Sequence, residues 1–479
     1  MASYEINLQR NNLGKDDDVA TTQDLCFEFA GAAAEASYER LPPAAVEAAK
    51  KSVLDALGVI IAGSGTEPAV RAIVDLVREE GGRPESSILG FGGRVPAVMA
   101  AFANGAMAHC LDYDDQTPWG QHAGSSILPA VFALAERRGG VTGKEMITAI
   151  AVGQDFFNRM RCHVDWRKDW NFTTVVGVLA ATVAGSVLLR LPRDRIANAF
   201  GIASMQCCGS MNVVHAVGSN LRALYAGFPA KGAVLATLLA ERGVSGAPAI
   251  FEGEHGIMDL YFHGTYDRAA LLRDLGRHYM GEHTLYKRWP TVGTAHSHIH
   301  ATIELVTEHA LAPDDIAQIR VHVGDYHRIM CEPIAARQAP ATLVDAKFSL
   351  PYLVAVAAVH RAVGLRDFTA EAIARPVVLA AAQRVVPVVD DRLDWKLELP
   401  PGRVEIVTRD GRRFERIGTN VPGSAEAPMT WDELAAKFAD CASAAIVPPA
   451  AATVARVVTA ARTLESADDA TELMRALSP

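Results

Sequence analysis

The chain has 479 residues, more than one hydrophobic core usually organises, so two domains are expected, one interrupted by the other. Half of the residues are hydrophobic but only 7% are aromatic, and Ala-rich stretches such as Ala100–Ala108 and Val175–Leu189 favour close-packed helices over a β-sandwich. A formal net charge of -9 excludes nucleic acid and an anionic membrane as main partners, since both need a basic face, and leaves room for a small anionic substrate wherever basic side chains gather.

Residues 1–23 have no apolar signal core and read as a polar arm. The seven cysteines are odd in number and contain no CxxC, which argues against disulfide frameworks and thiolate metal clusters and fits a reducing cytoplasm. From Pro43, AAVEAAKKSVLDALGVIIAG carries apolar residues at helical spacing until Gly63 and Gly65 stop it. The same period recurs in Pro68–Glu80, Pro96–Leu111, Ile127–Arg138, Gly143–Cys162, Thr174–Leu189, Arg193–Cys207 and Ala230–Arg242, which predicts a multi-helix domain over residues 24–282. The longest apolar run, Val175–Leu189, falls short of the roughly 20 residues a membrane span needs and reads as a core helix.

After about His283 the period changes. AQIRVHVGDY alternates Ile319, Val321 and Val323 as a half-buried strand does, and Asp410-Gly411 separates two strand-like runs, a hairpin signal. Residues 283–420 therefore read as an inserted α+β domain. Thr430 and Glu433 stand at capping-box spacing ahead of a further helix, so residues 421–479 are expected to rejoin the first domain. The fold class expected is mainly α: a large all-α domain built from both chain ends, with a smaller α+β lid inserted.

The densest group of reactive side chains lies in AFANGAMAHCLDYDDQTPWGQHAGSSILPA, where His109, Asp112, Asp114, Asp115 and His122 fall within fourteen residues. Helix-end capping and solvated loop charge account for Asp114 and Asp115 as readily as chemistry does. A metal reading draws on the same residues and on His296, His298 and His300. The flanking apolar residues are spaced for a helix there, which keeps His296 and His300 together and turns His298 away. Cys207-Cys208 read as small hydrophobes, and Asp55 as a hydrogen-bonded core carboxylate.

NGAMAHCLDYDD resembles the NG-x3-H-x-LD-[YF]-DD motif of the MmgE/PrpD family. VLDALGVIIAG, ILPAVFALAE, FEGEHG, KRWP and AKFSLPY follow in the family's order, so the resemblance covers about Asp24 to Cys441. It implies a helical domain with an α+β lid, a homodimer, no cofactor and no metal, and dehydration, epimerisation or decarboxylation of a small polycarboxylate, with dehydration of the 2-methylcitrate type first. It also implies a site. Asp112, His122 and Lys287 match catalytic positions, whereas Gln116, Asn171, Arg222 and Val292 stand where decarboxylase-like members carry threonine, histidine, lysine and histidine. Tyr326 lies near a lid tyrosine. Carbanion chemistry next to a carboxylate needs a positioned base and cations for the enediolate. His122 would move the proton, Asp112 would hold its ring, Lys287 would supply a cation from the lid, and Arg222 would grip a carboxylate, with Gln116, Asn171 and Tyr326 as further substrate contacts. Two other classes are a metal-dependent helical hydrolase built on His109, Asp112, His122 and the HxHxH run, and a non-catalytic scaffold.

Overall fold

A computed structural model describes residues 23–479, so the N-terminal arm lies, except for its last residue, outside the described residues. The chain is mainly α. Through residues 25–275 the β structure consists of isolated bridges and one two-residue antiparallel pairing, β1 (Ser86–Ser87) with β2 (Arg94–Val95).

Pro43 opens a 24-residue helix, Pro43–Thr66, at the position where a missing N–H costs nothing. Its residues from Ser52 to Ser64 are all buried. It packs against Ala97–His109, Gly143–His163 and the late helix Trp431–Ser443. A glycine is needed where the late helix crosses: a Cβ at Gly58 would stand 3.0 Å from the Phe438 ring. The C-terminal segment thus lies against the first helices, and Trp431–Ser443 begins with the Thr430/Glu433 capping box.

Phe172–Leu188 is buried along almost its whole length, between Gly143–His163, Gly124–Arg138 and Gly227–Glu241. It starts two residues before the expected Thr174 because the Asn171 side chain caps it, accepting from the Thr174 amide at 3.1 Å. The run Leu221–Glu241 also has the length and apolarity of a membrane span, but 78% of its apolar window is buried inside the molecule.

The sheet has four strands in the order β4-β3-β5-β6, made from β3 (Ile316–Val323), β4 (Val385–Val389), β5 (Arg403–Thr408) and β6 (Arg413–Ile417). β5 and β6 form the hairpin, with Gly411 at φ +87° in its turn. β3 ends at Val323, and Asp325–Ile329, which holds Tyr326, turns helical instead of extending it. β4 has no alternating signal, and its Pro387 is tolerated because β4 is an edge strand. The helix His296–Glu308 packs on β5 and β6. His298 points toward this sheet, its Nε2 2.9 Å from the His322 carbonyl, while His296 and His300 turn to Trp289, as helical spacing requires.

Candidate active site

The helix Ala97–His109 delivers its last residue to a buried loop that runs to Gly124, the first residue of the next helix. Asp112 sits in this loop with φ +47° and Gln121 with φ +56°, a left-handed conformation uncommon outside glycine and one that Asp tolerates better than most residues. The turn is closed by the Asp112 amide on the His109 carbonyl at 2.8 Å. Gly124 is required by close approach, because a Cβ there would meet the Asp115 carboxylate at 2.5 Å. Asp115 in turn accepts the Gly124 amide at 2.9 Å, so its helix-end role is real.

Asp112 and Asp114 are paired with cationic or imidazole groups, whereas Asp115 Oδ2 has no hydrogen-bond partner among the described residues. Asp114 accepts from His109 Nδ1 at 3.0 Å, and His122 Nδ1 lies 3.4 Å from the same carboxylate. Lys287 donates to the Asp112 carbonyl at 2.9 Å and forms an ion pair with its carboxylate. Burial works to raise the Asp112 carboxyl, but Lys287, then His122 and His109, hold it below the ordinary carboxylate value. Burial likewise opposes ionisation of Asp114, and His122 and His109 overcome it. Asp115 has no such cation close by; burial, with Asp114 and Asp55 adding to it, pushes it up to about 8. His122 is pushed down to about 4, first by burial, and stays a neutral imidazole at neutral pH.

One expected role changes. Asp112 does not orient the His122 ring: His122 Nδ1 donates to the Asp115 backbone carbonyl at 2.8 Å, which fixes the tautomer and leaves Nε2 free, 3.7 Å from Asp112 Oδ1. The Asp112 carboxylate is drawn instead to Lys287, a full charge that lies closer.

The sequence-selected residues gather around two cavities. His122, Asn171 and Tyr326 line one of about 60 Å³, with Gln121, Tyr225 and Trp395. Gln116 and Lys287 line a second, of about 350 Å³, with Thr294, His296 and the 418–426 segment. Asp112, bound to Lys287 and beside His122, links the two groups. Gln116 packs so close to Gly293 that a Cβ there would collide with its amide. Arg222 is buried, contrary to the surface position its residue type suggests. Its guanidinium lies 3.5 Å from the Phe348 ring centre and donates to the carbonyl of Val214, which lines the smaller cavity. Burial lowers its pKa to about 10, so it remains a cation. Val292 is a buried apolar residue, and the Asn171 carbonyl oxygen is committed to its helix cap.

Three contributors were not selected from the sequence. His109 and Asp114 stand in the signature, but nothing in the spacing shows that they bond to each other. Tyr225, whose ring lies 4.5 Å from that of His109, carries no sequence signal. A deeper support is equally silent: Lys437, on the late helix, pairs with Asp55 at 2.7 Å and donates to the carbonyls of Tyr113 and Lys287 at 2.7 and 3.0 Å. Asp55 is thus ion-paired and not merely hydrogen-bonded.

His109, Asp114 and His122 place ligand-type atoms within 4.8 Å of one another. Two of the ring nitrogens are engaged without an ion, His109 Nδ1 with the Asp114 carboxylate and His122 Nδ1 with the Asp115 carbonyl, so an ion here would have to displace these bonds or take the free His122 Nε2. A second group, His278, Glu282 and His283, is largely surface-exposed. Cys208 is exposed and the other six cysteines are buried, as small hydrophobes.

Comparison with known proteins agrees with this arrangement of motifs. The family model of the MmgE/PrpD N-terminal domain matches residues 28–269, and that of the MmgE/PrpD C-terminal domain matches residues 289–462. A cis-aconitate decarboxylase of Mus musculus is 25% identical over 476 residues, 94% of this chain and 92% of that protein. One from Aspergillus terreus is 25% identical over 426 residues, covering 83% and 85%. The mitochondrial 2-methylcitrate dehydratase of Yarrowia lipolytica is 22% identical over 401 residues, covering 79% and 76%. With both family domains matched in order along the chain, this protein belongs to the MmgE/PrpD family.

Proposed function

We propose that this protein is a cofactor-independent lyase that moves a proton at a carbon next to a carboxylate of a small di- or tricarboxylate, and that its reaction is dehydration. The observation that carries the reading is the His122 ring: its Nδ1–H is spent on the Asp115 carbonyl, and its Nε2 is a free neutral base beside the Asp112–Lys287 pair. Nε2 takes the α-proton, and the electron pair of the broken C–H bond spreads into the neighbouring carboxylate as an enediolate. Lys287 and Arg222 favour that developing charge. The electrons return to form C=C as the β-hydroxyl leaves, and the proton held on His122 goes out with it as water. The relatives named as cis-aconitate decarboxylases support a second reading, loss of CO2 from the same kind of carbanion. Against it stand Val292, which has no proton to give, and Asn171, engaged in a helix cap.

In the same reading, residues 283–420 form a lid over the helical domain. Two chains associate through the exposed apolar side chains Leu221, Phe228 and Leu235, which recur every seven residues. Polycarboxylates screened by NMR in heavy water test the chemistry, because α-proton exchange reports the carbanion whichever product follows. Exchange is expected with at least one hydroxy-polycarboxylate; exchange with none overturns the proposal. A monomer in sedimentation at micromolar concentration overturns the dimer.

A further inference from the structure

The His122 chemistry makes no use of His296. This residue lines the 350 Å³ cavity together with Lys287 and Gln116. It is 5% exposed, and its Nε2 has no hydrogen-bond partner among the described residues. The ring is held edge-on by Trp289, with ring centres 5.1 Å apart, and the Thr291 backbone faces it as an acceptor. A buried acceptor without a donor is costly, and on the wall of a cavity a ligand that brings the donor removes that cost. Burial first, and then the Lys287 cation, push His296 down to about 3 against the opposing pull of Asp112 and keep its ring neutral. With the ring's hydrogen turned to the Thr291 carbonyl, a neutral Nε2 is left to accept.

A polycarboxylate meets donors elsewhere on this wall, at Lys287 and at the Gln116 amide, but its ionised carboxylates have no hydrogen to offer Nε2. What completes His296 is a donor on the carbon skeleton itself. We infer that His296 is a specificity-determining residue of this site, whose Nε2 accepts a hydrogen bond from a hydroxyl on the substrate's carbon chain. The inference rests on the polycarboxylate reading above and narrows it to hydroxy acids. An amine could offer the same hydrogen, but it would bring a second positive charge beside Lys287, and the hydroxyl is favoured for that reason.

Calorimetric binding of matched pairs to the full chain tests this: citrate against propane-1,2,3-tricarboxylate, and malate against succinate. Wild-type protein is expected to bind a hydroxy member at least about tenfold more tightly than its deoxy partner, the difference one unpaired buried acceptor makes. His296→Leu should remove that preference while leaving affinity for the deoxy acid within about threefold, and His296→Gln, which keeps an acceptor, should retain part of it. Equal binding of both members by wild-type protein, or a preference that survives His296→Leu, overturns the assignment and leaves the lyase reading standing. Tighter binding of aspartate than of malate overturns the hydroxyl in favour of an amine. Failure of every di- and tricarboxylate to bind, with no α-proton exchange, overturns both readings. Circular dichroism of both variants confirms that a lost preference is not lost folding.

Discussion

Lys287 closes on Asp112 from 175 residues further along the chain and donates to both its backbone carbonyl and its carboxylate. The lysine therefore holds a backbone whose φ is +47° as well as balancing a buried charge. Lys287→Met should leave that carboxylate buried and unpaired, lowering stability by about 3–5 kcal/mol in denaturant titration and turnover by at least about a hundredfold. Adding Asp112→Asn should return much of the stability and none of the activity. A single variant as stable as wild type would show that the pair does not hold the loop.

His122→Asn separates chemistry from architecture. The substitution should lower turnover by at least about a hundredfold, the lower range for losing a general acid or base, with the thermal midpoint nearly unchanged. The ring is partly accessible from the smaller cavity and has one hydrogen-bonded nitrogen, so an amide at that place loses little packing. A folded variant that keeps near wild-type α-proton exchange removes His122 from the mechanism.

Acid lability follows from buried neutral imidazoles. Burial is the largest cause for each of five histidines, pushing His122, His163 and His327 down to about 4 and His296 and His298 to about 3. The unfolded chain binds protons at these residues near pH 6.5, so their contribution is complete above that pH and is lost as pH falls toward 4. Asp115 acts in the opposite sense: raised to about 8, it keeps its proton when folded, and its cost grows as pH rises from about 4 to 8. His283 and His322 are lowered in the same way as these five, and Asp24, Asp55 and Asp155 are raised like Asp115, so the histidines are the larger group. The thermal midpoint should fall steadily from pH 6.5 to pH 4.5, before most carboxylates titrate. A flat midpoint across that window, measured calorimetrically, would contradict the burial of these rings.

Chelation is the simplest discriminator between chemistries. Activity is expected to survive exhaustive dialysis against EDTA, because in the proposed mechanism Lys287 and Arg222 supply the cations the enediolate needs. Loss of activity, with recovery on adding a divalent ion, would favour coordination by His109, Asp114 and His122.

Much of this was legible in the sequence because it depends on local periodicity. The eight helices expected between Pro43 and Arg242, the hairpin at Gly411 and the capping box at Thr430 each lie within a few residues of their signals, whereas Leu25–Ala34 was not expected. β4 was not, since Pro387 and the unbroken valines around it deny an alternating pattern, and its pairing with β3 is set by tertiary contact. At the site, the signature supplied residue types but not partners. Asp112 reads as the neighbour of His122 until Lys287 arrives from the far segment, and the Asp115 contact to His122 is made by a backbone atom that no side-chain pattern encodes.

The contacts of Lys437 set a timetable for synthesis. A ribosome has made the whole signature loop, the base and even Lys287 well before it reaches the late helix, yet until residue 437 emerges the Tyr113 and Lys287 carbonyls lack their shared donor and Asp55 lacks its counter-charge. The nascent chain can bury its first helices early. The candidate site is braced only after residue 437 has emerged, when a single ammonium group fastens the signature loop and the Lys287 segment together.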